Sequence, residues 1–109
     1  LISSDVIRGY NDSIILTLLK EEDSYGYEIS KTIRERSNEK YIIKETTLYS
    51  AFTRLQKKGL IESYPGDETH GKKRTYYHIT DEGLDFLDEK RLEWQITQEV
   101  VEVFLGQSE

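Results

Sequence analysis

The chain has 109 residues, 36% of them hydrophobic and 33% charged, with 15 Lys+Arg against 21 Asp+Glu and a formal net charge of −6. That length suits one small domain, and the absence of Cys excludes a disulfide scaffold, thiolate chemistry and the soft ligands of most structural zinc sites. The longest apolar run, Ile14 to Leu19, is broken by Thr17 and falls far short of the ~18 residues of a membrane span; no secretory signal pattern opens the sequence, so a cytoplasmic location is expected.

Residues 5 to 20 place Ile7, Tyr10, Ile14 and Leu18 at helical spacing, with Ile15, Leu16 and Leu19 widening the stripe, which predicts a first helix with a broad apolar face. After Glu21-Glu22-Asp23, Ser24 is suited to cap a second helix from Tyr25 to about Arg36, lined on one side by Tyr25, Ile29 and Ile33. Ser37 to Lys40 reads as a polar loop, and Tyr41-Ile42-Ile43 leads into a third helix from Glu45 to about Lys58. Gly59 ends that helix directly after the basic pair Lys57-Lys58. Leu60 to Tyr64 and Arg74 to Ile79 are rich in Ile, Tyr and Thr and predict two strands, with Pro65 to Gly71 as the long tip of a hairpin. Thr80 caps a last helix from Asp81 to about Leu105, near 37 Å at 1.5 Å per residue. The expected class is mainly α with a small β-hairpin. The element order is that of a winged helix-turn-helix over residues 1–80, with 81–109 as a C-terminal dimerisation helix of the same compact unit.

Acidity repels phosphate overall, but the charge is unevenly placed. Residues 1–39 carry five Lys/Arg and eight Asp/Glu, residues 40–78 carry eight and four, and residues 79–109 carry two and nine. The only positive excess thus coincides with the third helix and the hairpin, the parts of a helix-turn-helix protein that meet the duplex. In that helix Leu48, Phe52 and Leu55 point inward, while Thr46, Ser50, Thr53, Arg54 and Lys57 face outward and Tyr49 lies near the boundary. Short hydroxyl side chains let a helix approach base edges, and longer Tyr, Arg and Lys reach flanking phosphates; Lys44 and Thr47 at the helix start join this surface. His70, Lys72, Lys73 and Arg74 at the hairpin tip are placed to reach the neighbouring backbone or minor groove. Solvated faces often carry such residues singly, and it is their coincidence in one segment that points to DNA.

The last helix has two opposed apolar sides: Leu84, Leu87, Trp94, Val101 and Leu105 on one, and Phe86, Leu92, Ile96, Val100, Val103 and Phe104 on the other. Two faces need two partners, so dimerisation is expected through Ile7, Tyr10, Ile14, Leu84, Leu87, Ile96, Val100, Val103 and Phe104. His70 and His78 lie on opposite limbs of the hairpin with no organised carboxylate cluster, and no catalytic triad order or phosphate-binding glycine loop is visible. Neither a metal, a cofactor nor an enzyme is expected.

Five motifs in order, Ile7-Arg8-Gly9-Tyr10 with Ile14 to Leu19, Tyr25-Gly26-Tyr27-Glu28-Ile29, Thr47-Leu48-Tyr49 with Arg54-Leu55 and Gly59-Leu60-Ile61, Arg74 to Thr80, and Gly83, resemble the PadR family of bacterial transcriptional regulators. The resemblance implies a dimeric winged-helix repressor on a palindromic operator of double-stranded DNA, often released by a small aromatic compound, with Tyr49 at the DNA surface. It also implies, for short multidrug-responsive members ending in one helix, that Trp94 stacks on a planar aromatic effector between subunits. Where many relatives open the recognition helix with a Ser-Pro-Gly-Thr type turn, this sequence has Lys44-Glu45-Thr46-Thr47, which leaves its N-cap open. Two other readings fit the same elements: a winged helix that docks on protein instead of DNA, and a repressor without a small-molecule effector.

Overall fold

Glycine is a poor helix former, and the expected first helix is interrupted around Gly9. The computed structural model describes residues 1–69 and 72–107; His70, expected in the DNA surface, and the Lys72 side chain lie outside what is described. Helix α1 (Ser4–Ile7), capped by the Ser3 hydroxyl accepting from the Val6 amide, runs through a 3-10 turn (Arg8–Tyr10) into α2 (Asn11–Glu21). Helix α2 buries Ile15, Leu16 and Leu19, with Ile14 and Leu18 packed partly against the same core.

Ser24 is not a cap. With Tyr25 it forms the short strand β1 (Ser24–Tyr25), and α3 (Gly26–Arg36) starts from an extended Tyr25 that has no side-chain cap bond. The reason is tertiary: a free strand edge farther along the chain offers backbone partners, pairing Ser24 with Tyr77 and Tyr25 with Tyr76. Helix α4 (Glu45–Lys57) likewise starts without a side-chain cap at Lys44. It stops where expected, at Gly59 with φ 75°, where the Leu60 amide returns to the Leu55 carbonyl at 2.9 Å.

The hairpin is longer than its sequence suggests. Strands β2 (Ile61–Thr69) and β3 (Lys72–Ile79) pair antiparallel, and the sheet order is β1-β3-β2. Much of the expected tip is thus drawn into the ladder, with Glu68 opposite Lys73 and Thr69 opposite Lys72. A register irregularity between Pro65 and Glu68 accommodates a proline that has no amide to donate. Thr80 caps α5 (Asp81–Leu105) as expected, accepting from the Gly83 amide at 3.0 Å and donating to the Gly59 carbonyl at 2.8 Å.

The core gathers α2, α3 and α4 over the sheet, and the Phe52 ring stacks on Tyr77 with centroids 3.9 Å apart. Leu87, expected in a dimer contact, is 1% exposed and belongs to this core. Leu84 and Ile14 also pack partly against that core. The outer part of α5 extends from it, giving overall dimensions of 57 × 29 × 21 Å, and leaves Leu92, Ile96, Val100, Val103 and Phe104 exposed. Helices α2, α3 and α4, a β-hairpin with a third short strand and the appended α5 make a winged helix. Among the described residues no helix is long and apolar enough to cross a membrane.

Candidate nucleic-acid interface

Burial of Leu48, Ala51, Phe52 and Leu55 fixes which side of α4 faces out. Thr46, Ser50, Thr53 and Lys57, spaced by four, three and four residues, form its outermost row and are all exposed, as is Lys44 just before the helix; Thr47 is half-buried.

Contacts with neighbouring elements hold both flanks of this row. On one flank the Tyr49 ring lies against the start of α3, so close that a Cβ on Gly26 would meet the Tyr49 hydroxyl at 2.3 Å; only glycine leaves the phenol this position. Farther along, the Gln56 amide donates to the Ser63 hydroxyl of β2 at 2.9 Å. On the other flank Arg54 donates from Nε and Nη2 to both oxygens of Asp12 on α2, at 3.1 and 2.6 Å. Arg54, expected to reach toward phosphate, is thus engaged by a carboxylate of its own chain.

The wing connects to the Tyr49 flank through aromatic contacts. The Arg74 guanidinium sits 4.2 Å from the Tyr25 ring centroid, and Tyr25, next to Gly26, packs on Tyr76 at 5.3 Å. Tyr49, Gly26, Tyr25 and Arg74 therefore form a continuous strip from α4 to the wing. Lys73 is exposed beside it.

A second set of contacts braces the wing from behind. Asp23 accepts from the Tyr64 hydroxyl at 2.5 Å and lies 2.8 Å from Nδ1 of His78. The Tyr64 hydrogen bond holds the Asp23 carboxyl below its ordinary range, aided by His78 against the opposing effect of burial. Tyr64 in turn is pushed up to about 12 by Asp23. His78 is raised, first by its hydrogen bond to Asp23, and further by the negative charges of Asp23, Glu62 and Asp81. A raised histidine stabilises the fold fully below its unfolded value and loses that contribution as pH rises through the folded one; a lowered carboxylate behaves oppositely at acid pH. The brace is therefore strongest on the acid side of neutrality and above the Asp23 titration. In an NMR titration His78 is expected to deprotonate above pH ~6.5, and Asp23→Asn to lower it toward the ordinary range; an unshifted His78 in the parent chain rules out the pairing.

On the far side of α2, a groove of about 610 Å³ runs between α1–α2 and α5, lined by Val6, Tyr10, Ile14, Leu87, Trp94 and Val101 among others. Trp94 is 46% exposed and meets Tyr10 edge-on, with ring centroids 5.2 Å apart. Ile7 also lines this groove, whereas Ile96, Val100, Val103 and Phe104 stand outside it. Sequence reasoning missed Asp12, Asp23, Gly26 and Tyr64 as parts of the site. Each acts through a partner remote in sequence, and no local spacing announces such a pair.

Residues 15–89 match the family model of the PadR-like transcriptional regulators. A solved structure of a transcriptional regulator from Clostridium thermocellum is 61% identical, with 94% of this chain and 99% of that one covered and a TM-score of 0.88. A PadR family transcription regulator from Clostridium difficile is 43% identical, with 89% and 99% covered and a TM-score of 0.78. An uncharacterized protein of Lysinibacillus sphaericus is 50% identical over 105 residues, 96% of each chain. The family consists of regulators and not enzymes, which agrees with a site made of a helix face and a wing. On the match across α2 to α5 and the likeness to these winged-helix structures, the chain belongs to the PadR-like family of transcriptional regulators.

Proposed function

We propose that the chain is a homodimeric repressor that binds a palindromic operator and releases it when a planar aromatic compound enters beside Trp94. One observation carries the reading: the chain combines an exposed row of hydroxyls and lysine on α4 with an apolar stripe on α5 that its own fold leaves uncovered. Thr46, Ser50, Thr53 and Lys57 enter the major groove, with Lys44, Thr47 and Tyr49 at its margin. Lys72, Lys73 and Arg74 of the wing, with His70 beside them, meet the flanking backbone. A second copy supplies the missing cover. The groove beside Trp94 and the exposed stripe of Leu92, Ile96, Val100 and Val103 lie on opposite sides of α5, and a two-fold dimer covers the stripe with apolar surface of the second copy. Such a dimer sets its two recognition helices about one turn of duplex apart, roughly 34 Å.

Titration into random and palindromic duplexes at several salt concentrations tests the DNA reading. Expected is a preference for a selected palindrome and a steep loss of affinity with salt. The double variant Lys73→Gln/Arg74→Gln is expected to weaken all duplexes alike and flatten the log–log salt slope by about 0.9 for each phosphate no longer neutralised. An unchanged slope removes the wing from the interface, and absence of salt-dependent DNA binding favours a protein-docking module. Screening planar aromatics while following Trp94 fluorescence tests the effector: release with quenching supports the groove, and release without quenching places the sensor elsewhere.

A further inference from the structure

We propose that Asp12 is a positioning residue for DNA binding: through its two-point grip on Arg54 it fixes the recognition helix on α2, and Arg54 serves through that grip and not by holding a phosphate. The inference rests on the reading of α4 as the recognition helix. The two residues are 42 positions apart, yet both carboxylate oxygens meet two guanidinium donors at 2.6 and 3.1 Å, a planar fork that fixes orientation as well as distance.

The grip has a counterpart one residue away. Asn11, 5% exposed, accepts from the Tyr41 hydroxyl on the segment that feeds α4. Adjacent residues at the start of α2 thereby hold the approach to α4 through Tyr41 and its last turn through Arg54. Tyr49 against Gly26 and Gln56 to Ser63 hold the opposite flank, so removing the Arg54 tie leaves the last turn of the helix without its side-chain link to α2. With Leu48, Ala51, Phe52 and Leu55 still seated in the core, a small shift of that last turn is enough to move Thr53 and Lys57 relative to base edges and phosphates.

Electrostatics argues against a phosphate role for Arg54. A phosphate brought to the guanidinium meets the Asp12 carboxylate at a comparable distance, and the pair together carries no net charge. Lys57, on the same helix, has no such carboxylate partner among the described residues. Ser13, Ile14 and Thr17 on α2 line the Trp94 groove, so the helix that holds Arg54 also forms a wall of that groove.

The test uses the full chain and its selected palindrome, with Asp12→Asn, Arg54→Gln and the swapped pair Asp12→Arg/Arg54→Asp. Affinity is measured across salt concentrations, at a temperature where circular dichroism shows each variant folded. Expected is a roughly tenfold loss for either single variant with the salt slope unchanged, and recovery of most of the affinity in the swapped pair. The idea is overturned if Arg54→Gln flattens the slope by about 0.9 per recognition helix, the mark of one phosphate left unneutralised, or if Asp12→Asn binds as tightly as the parent or tighter. The Asp12→Asn result decides even if the swapped pair does not fold. A parent chain that binds no duplex defeats the regulator reading itself, an outcome distinct from any pattern among the variants.

Discussion

A chain carrying both Val100→Asp and Val103→Asp is expected to fold as a monomer and to lose the selected palindrome. In the isolated chain these side chains are 54% and 58% exposed, so water solvates the new carboxylates and the core of α2 to α5 is untouched. The intrinsic penalty of aspartate within a helix is only about half a kcal/mol per site. In a two-fold dimer the same substitutions place four carboxylates against a largely apolar surface, where each desolvated charge costs several kcal/mol. A loss of about 4 kcal/mol already weakens association a thousandfold, enough to turn a submicromolar dimer into a monomer at micromolar concentration. Gln95→Asp adds a single carboxylate at an exposed polar position of α5 and, set beside each Val→Asp single variant, serves as the control. DNA affinity should fall with the dimer, because a monomer presents one recognition helix and gives up the avidity of the second half-site. Sedimentation velocity together with duplex titration reads both effects. A double variant that still sediments as a dimer places the subunit contact elsewhere on the surface.

Local periodicity made the helices legible, and tertiary pairing overrode it at particular places. Leu48, Phe52 and Leu55 announced the inner side of α4 by spacing alone, and the outward row followed from the same arithmetic. Gly59 and Thr80 act where their chemistry said they would, because a helix stop and a cap need only near neighbours. Ser24 carries an equally good cap signal and fails it, since pairing with Tyr77 draws the segment into the sheet. The turn formers from Pro65 onward yield in the same way to the ladder of β3. Within the site, the charge of Arg54 was legible but its partner was not: nothing near position 54 marks Asp12, just as nothing near Asp23 marks Tyr64 or His78, 41 and 55 positions away. Leu87 fits the periodicity of a second apolar face and is buried by its own core, because the stripe says which residues need cover and not which chain supplies it.

Gly83→Ala separates helix propensity from packing, because the two predict opposite signs. In an unconstrained helix interior, alanine is favoured over glycine by about 1 kcal/mol. Here a Cβ would lie 2.2 Å from the Leu60 carbonyl oxygen and 2.7 Å from Cγ1 of Ile79, and the nearer of these is backbone. That carbonyl is not free to withdraw: it accepts the Thr80 amide at 3.0 Å, while the Gly83 amide is spent on the Thr80 hydroxyl that caps α5. Relief therefore requires the first turn of α5 to lift from the corner where α4 ends and β3 closes, giving up the cap and disturbing Ile79 and Leu87 in the core. The expected net loss is about 3 kcal/mol, which at this size lowers the thermal midpoint by roughly 15 °C when protein concentration is held fixed. Thermal unfolding followed by circular dichroism at one concentration measures it. A variant as stable as the parent, or more so, means that α5 does not seat this closely on Leu60. The position of both apolar faces of α5 relative to the exposed row of α4 depends on that corner.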